Sequence, residues 1–160
     1  MERLWAPWRM DYISKGNSNG CFLCEKCESQ NEEEDFVLFK SERVLVLLNL
    51  YPYNNGHLLI APCRHVSGPE EFSPEEALEF WQALNKSLSA LKSALHPEGF
   101  NIGANLGKVA GAGLDSHFHL HVVPRWLGDT NFMPILAEVK IMPEHLSLTY
   151  RKLKEHFLKF

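Results

Sequence analysis

No apolar run in this chain approaches the ~20 residues that a membrane-spanning helix needs. The opening residues, Met1-Glu2-Arg3-Leu4-Trp5-Ala6-Pro7-Trp8-Arg9, lack the apolar stretch of a secretory leader. Internal repeats and long linkers are missing as well. Together these absences predict a cytoplasmic protein that does not sit in a membrane. An excess of positive charge is also lacking: 16 Lys and Arg face 20 Asp and Glu, for a formal net charge of −4. A general binder of nucleic-acid polymers needs a basic surface to displace counterions, so that class is disfavoured. A local cationic pocket for one phosphate chain is not. Cysteine is scarce, at four residues. In a reducing compartment Cys21, Cys24, Cys27 and Cys63 read as metal ligands or core residues rather than disulfides. What the chain does have is 45% hydrophobic residues, enough for a core in a single domain of residues 1–160.

The pattern along the chain predicts an α+β fold, with one long helix packed on an antiparallel sheet and a second helix at the C-terminus. Residues 36–40 and 44–50 are apolar runs around Ser41-Glu42, as in a hairpin. Residues 29–35 form an acidic polar loop, and 51–56 a turn cluster before a short strand at 57–61. Ser73-Pro74-Glu75-Glu76 is a helix start: serine can cap, proline suits the first position, and Glu76 completes a capping box. Ala77, Phe80, Trp81, Leu84, Leu88, Leu91 and Leu95 follow at helical spacing, and His96-Pro97-Glu98-Gly99 ends the run. Residues 100–106 and 117–123 read as strands joined by the glycine-bearing loop 107–113, and 135–141 as one more. Pro143 opens the C-terminal helix, with Leu146, Tyr150, Leu153 and Phe157 on one side.

Chemistry concentrates in Ser116-His117-Phe118-His119-Leu120-His121-Val122-Val123-Pro124-Arg125-Trp126. On a strand, alternate side chains share a face, so His117, His119 and His121 point one way and Phe118, Leu120 and Val122 the other. Three imidazoles side by side are costly to bury without partners. They can be the polar face of an edge strand, a three-histidine catalytic zinc site holding an activated water, or a nucleophilic site at phosphorus. In the last case one imidazole nitrogen attacks while its other nitrogen, hydrogen-bonded, fixes the tautomer.

His117-Phe118-His119-Leu120-His121-Val122-Val123 resembles the signature of the histidine triad family, and matching segments come in order upstream. Residues 49–62, Cys63-Arg64-His65-Val66, and Phe100-Asn101-Ile102-Gly103-Ala104-Asn105-Leu106-Gly107 resemble the family's strand pair, its upstream histidine and its pre-triad loop. The resemblance implies that His119 is the nucleophile at an α-phosphorus and that His121 meets phosphate oxygens and handles charge or protons. It also places Asn49 at the ribose hydroxyls and Asn105 at a phosphate, with His57 either along the same pocket or simply a polar residue opening a strand. Relatives often carry Asp where this chain has Asn49, and Ser or Thr where it has Leu114. Here backbone N–H groups from Gly111 through Gly113 to Leu114 would cradle the anion instead.

Some proteins of this family and its uridylyltransferase relatives bind zinc through an N-terminal CxxC, the upstream histidine and the first triad histidine. The corresponding residues are Cys21, Cys24, His65 and His117, a closed Cys2His2 set and hence structural zinc. Cys27 is a substitute ligand by position; an iron–sulfur site would need another suitably placed cysteine, for which Cys63 is a poor candidate. Trp5-Ala6-Pro7-Trp8-Arg9, Gly111-Ala112-Gly113 and residues 121–134 resemble the bacterial diadenosine tetraphosphate phosphorylase branch. That likeness implies phosphorolysis to ADP and ATP with inorganic phosphate as second nucleophile, and Arg125 and Trp126 serving phosphate or the second nucleotide. Hydrolysis of dinucleoside polyphosphates or nucleoside phosphoramidates is the alternative, and a non-catalytic nucleotide-binding module the second. The family also implies a homodimer or higher homo-oligomer, and no organic cofactor.

Overall fold

The computed structural model describes residues 20–130 and 142–158. It is an α+β structure built on a five-stranded antiparallel sheet, β1 Val37–Lys40, β2 Val44–Leu48, β3 Leu58–Pro62, β4 Gly99–Gly103 and β5 Leu120–Arg125, in the order β1-β2-β3-β5-β4. Helices α1 Phe22–Glu28, α2 Pro74–Leu95 and α3 Leu146–Phe157 cover it. β2 and β3 are buried at every position, which is why both read as unbroken apolar runs rather than alternating ones. Val44, Val46, Leu48, Leu58 and Ile60 turn to one face, against Phe80, Leu84 and Leu91 of α2 and Tyr150, Leu153 and Phe157 of α3. Leu45, Leu47, Leu59 and Ala61 turn to the other, against Leu23 of α1. The site described below lies on that second face.

The long helix begins as the sequence predicts. Ser73 Oγ accepts from the Glu76 N–H at 3.2 Å, and Glu76 Oε2 accepts from the Ser73 N–H at 2.8 Å. Each bond satisfies a donor that the first helical turn would leave orphaned. Ser73→Ala is therefore expected to cost about 1 kcal/mol, read as a lower urea midpoint at unchanged m. The buried stripe runs through Phe80, Ala83, Leu84, Ser87, Ala90 and Leu91. Trp81 departs from the expectation: one residue beyond Phe80 it lies about 100° round the helix, and it is 63% exposed. At the C-terminus His145, not Pro143, caps the last helix, its side chain accepting from the Ser147 N–H. The expected strand at 135–141 lies outside the described residues.

α1 carries the CxxC pair, and the sequence showed no helix there. Seven residues with no side-chain cap leave little periodic signal. The helix also corrects the reading of the cysteines. It turns Cys27 to the end of β3, where a disulfide joins it to Cys63 across a Cα–Cα distance of 5.7 Å, within the range such bridges require. Cys27 is thus no substitute metal ligand, and only Cys21 and Cys24 are free thiols among the described residues. No described helix is long and apolar enough to cross a membrane.

Candidate active site

β5 proper starts at Leu120, so His117 and His119 lie on the approach to it, held by the Phe118 N–H donating to the Val66 carbonyl at 2.6 Å. The alternation holds all the same. Phe118, Leu120 and Val122 pack with the α2 cluster, which leaves the histidines on the opposite face.

Each histidine has a distinct hydrogen-bond setting. His119 Nδ1–H donates to the His117 carbonyl at 2.9 Å. That bond puts the proton on Nδ1 and leaves the lone pair on Nε2. Burial lowers the pKa of His119, outweighing the opposite pull of the carbonyl, so the ring is neutral near pH 7. The His121 ring stands edge-on to it, with centroids 5.0 Å apart. Behind His121 the Tyr53 N–H donates to His57 Nδ1 at 3.0 Å, and the Asn49 amide approaches the same nitrogen at 3.3 Å. With Nδ1 accepting, His57 Nε2–H donates to His121 Nδ1 at 2.9 Å. His121 therefore carries its own proton on Nε2. His57 is 0% exposed. Its ring lies behind His121 and has no exposed surface with which to wall a pocket.

The third histidine belongs to another group. Cys21, Cys24, His65 and His117 offer ligand atoms that all lie within 4.8 Å of one another. His117 is 0% exposed, and its Nε2–H donates to the Pro62 carbonyl at 2.8 Å. Its Nδ1 lone pair is thereby aimed at Cys21 Sγ, 3.1 Å away, and Cys24 Sγ, 3.4 Å away. His65 Nδ1 lies 3.3 Å from Cys24 Sγ. Two thiols and two suitably presented imidazoles, one braced by a backbone carbonyl, fit a tetrahedral thiophilic cation such as zinc. Burial, aided by the adjoining Cys21 thiol, pushes the Cys24 thiol up to about 11. A bound dication would reverse that preference.

The remaining predicted residues divide. Asn49 caps the turn after β2, its Oδ1 accepting from the Tyr51 N–H at 2.9 Å, and it adjoins His57. Asn105 Nδ2 reaches the Gly111 carbonyl at 3.4 Å and folds loop 107–113 over, with Gly107 and Gly111 at φ of 81° and 88°, where side chains are strained. Gly113 follows on the same loop, exposed. Leu114 packs on the Leu47–Leu59 side of the sheet, an apolar contact in place of a hydroxyl. Trp126 is not brought to the histidines. It follows Val122 and Pro124 in the alternation, and its indole N–H donates to the His96 carbonyl at the end of α2.

Arg125 shares the histidine face, but its guanidinium is engaged. Nε and Nη2 donate to Asp129 at 2.6 and 3.0 Å, and Nη1 donates to Asn101 Oδ1 at 2.6 Å. Asp129, which sequence reasoning missed, also accepts from the Trp126 N–H and from Asn54 Nδ2, and the Asn54 amide donates to the Pro124 carbonyl as well. The bond from Arg125 leads in holding the Asp129 carboxyl at about 2. Since that lies below the ordinary unfolded value near 4, its contribution is present above pH ~4 and disappears as pH falls toward ~2. The Asp129 side chain is 7% exposed but Arg125 is 44% exposed, so solvent screening reduces the effect. Asp129→Asn should cost about 1–2 kcal/mol at pH 7 and nothing near pH 2, as measured by urea unfolding across that range.

The HIT domain profile matches residues 30–126, more than half of the chain. AP-4-A phosphorylase of Mycobacterium tuberculosis is 39% identical over 161 residues, covering 96% of this chain and 83% of that protein. Bis(5'-adenosyl)-triphosphatase of Dictyostelium discoideum is 29% identical over 89 residues, 56% of this chain and 59% of its own. Among solved structures, a Zn-bound histidine triad family protein from Mycobacterium smegmatis matches with a TM-score of 0.69 at 25% identity, covering 89% of this chain and 96% of that one. By its sequence match and by its fold, this chain belongs to the HIT family.

Proposed function

We propose that this chain is a nucleotidyltransferase that cleaves dinucleoside polyphosphates at the α-phosphorus through a covalent nucleotidyl-His119, with diadenosine tetraphosphate as substrate and inorganic phosphate as acceptor. The observation that carries the reading is the bond from His119 Nδ1–H to the His117 carbonyl, which leaves Nε2 as a neutral lone pair. In the first step Nε2 forms a bond to the α-phosphorus as the bond to the bridging oxygen breaks. The electron pair leaves on that oxygen, and ATP departs as an anion. Positive charge develops on the His119 ring, where the Nδ1–H bond to the carbonyl strengthens to meet it. His121, oriented through His57, donates Nε2–H to the phosphate oxygens. In the second step an oxygen of inorganic phosphate attacks the adduct, the N–P electrons return to Nε2, and ADP leaves.

Asn49 would take the ribose hydroxyls, and Asn105 with the backbone of residues 111–114 the phosphates. Cys21, Cys24, His65 and His117 would hold zinc, which supplies a closed structural cross-link and takes no substrate. We place the working protein, residues 1–160 as one unit, in the cytoplasm as a homodimer. The likeness to AP-4-A phosphorylase supports phosphate as acceptor, whereas that to bis(5'-adenosyl)-triphosphatase supports water. Incubation with diadenosine tetraphosphate, with and without phosphate, separates them by product mass. ADP formed only with phosphate supports phosphorolysis, AMP and ATP regardless of phosphate indicate hydrolysis, and no product at all indicates a binding module.

A further inference from the structure

The antiparallel pairing of β2 with β3 does not stop at Leu48 and Leu58. The Asn49 N–H donates to the His57 carbonyl at 2.9 Å, so the next pair across is Asn49 and His57. Residues paired in this way put their side chains on one face, here the face of Leu47 and Leu59. His121 is paired with Leu59 and lies diagonally from His57, within reach of an imidazole. The register thus sets three side chains in a line. Asn49 Nδ2 lies 3.3 Å from His57 Nδ1, and His57 Nε2 lies 2.9 Å from His121 Nδ1.

The direction of hydrogen bonding along that line is fixed at its Asn49 end. Asn49 Oδ1 accepts from the Tyr51 N–H at 2.9 Å, so the amide nitrogen, a donor only, faces His57. The Tyr53 N–H is a second donor to His57 Nδ1, at 3.0 Å, but a main-chain group is there whatever the side chain. Of the two donors, Asn49 is the one that the sequence chooses. Resting on the nucleotidyl-transfer reading above, we infer that Asn49 is a positioning residue for that reaction as well as a ribose contact. It acts through His57 to make His121 a donor to the phosphate oxygens. Aspartate has the same shape and no hydrogen to give. In place of Asn49, its second carboxylate oxygen would meet the lone pair on His57 Nδ1 unless the ring moved its proton there. His57 Nε2 would then hold a lone pair, and His121 would donate to it from Nδ1. The Nε2 that His121 turns to the substrate would be left with a lone pair against anionic oxygens. Each ring keeps one proton throughout, and only the nitrogen that holds it changes. One amide in place of a carboxylate therefore decides whether the end of the line attracts a phosphate or repels it.

Proton–nitrogen correlation spectra of the histidine rings test this in the substrate-free protein. In wild type both His57 and His121 are expected to carry the proton on Nε2; in Asn49→Asp both protons move to Nδ1. No nucleotide is present, so a lost ribose contact cannot produce that change. Kinetics with diadenosine tetraphosphate and phosphate give the second readout. Asn49→Asp is expected to lower kcat at least about ten-fold in the wild-type background. In His57→Ala, where there is no ring to reverse, the same substitution should lower it less than about two-fold. KM, which takes the ribose contact, should shift alike in both backgrounds. Thermal midpoints confirm that each variant is folded; should the double variant fail, the ring spectra carry the test. Wild-type His57 with its proton on Nδ1, an aspartate variant in which His121 keeps its Nε2 proton, or a change in kcat by the same factor with and without His57 overturns the inference while leaving the nucleotidyl-transfer reading standing. Wild-type protein inert on the dinucleotide overturns that reading, and the role of Asn49 with it.

Discussion

His119→Ala is expected to lower turnover of diadenosine tetraphosphate by at least about 10⁴-fold, because it removes the atom that bonds to phosphorus. Nucleotide affinity should stay within a few-fold of wild type. The groups proposed to hold ribose and phosphate, Asn49, Asn105 and His121, do not depend on the His119 ring for their positions: Asn49 is fixed by the Tyr51 N–H, Asn105 by the Gly111 carbonyl and His121 by His57. Intact-mass spectrometry of wild-type protein mixed with substrate in the absence of phosphate should reveal a nucleotidyl adduct, and the alanine variant none. Substantial turnover by His119→Ala would remove the nucleophile from the proposal altogether. A His121 variant should behave differently, with adduct formation slowed but not abolished, since His121 contributes charge stabilisation and no bond to phosphorus. His57→Ala should resemble it, because the tautomer of His121 depends on that buried ring.

The face on which the histidines act could be read from the sequence, because a strand alternates with period two whatever it is paired with, and Phe118, Leu120 and Val122 needed a core. The start of α2 was equally legible, since a capping box is a local arrangement of a few consecutive residues. Features that depend on distant contacts were not. Nothing near Cys27 signals Cys63, which lies 36 residues away and meets it only because α1 turns a sulfur toward β3. The role of His57 behind His121 depends on a pairing 64 residues apart, so local polarity made it look like a pocket residue. Asp129 is only partly legible: Arg125 and Trp126 lie within four residues of it, but the bond from Asn54 comes from 75 residues upstream. The likeness to relatives marks Arg125 as a cation of the site, but its neutralisation by Asp129 and its hydrogen bond to Asn101 are properties of the folded packing. Residues 1–19, 131–141 and 159–160, which include part of the likeness to the phosphorylase branch, lie outside the described residues.

Loss of the proposed zinc should reduce stability before it reduces chemistry. The four candidate ligands join α1 to the segment behind the nucleophile, and none is His119 or His121. If free zinc stands about 1,000-fold above its dissociation constant, the ion stabilises the fold by roughly 4 kcal/mol. For a chain of this size that corresponds to about 10 °C in Tm. Cys24→Ser, or chelation of the wild-type protein, should therefore lower the zinc content from one per chain and Tm by about that amount, while kcat at 25 °C falls much less. The disulfide makes the prediction sharper. Cys27–Cys63 ties the same short helix to the same end of β3, so two fasteners act in parallel on α1. Linked fasteners are not additive, because each one shelters the other from the opening it would otherwise permit. Chelation should then cost more Tm in the presence of a thiol reductant than in its absence, and reduction alone should cost less with zinc bound than without it. The coupling would reach catalysis through one atom, the His117 carbonyl oxygen: the ring of that residue is a metal ligand, and its backbone orients His119. Chelation that abolished turnover without moving Tm would show instead that the metal takes part in the reaction.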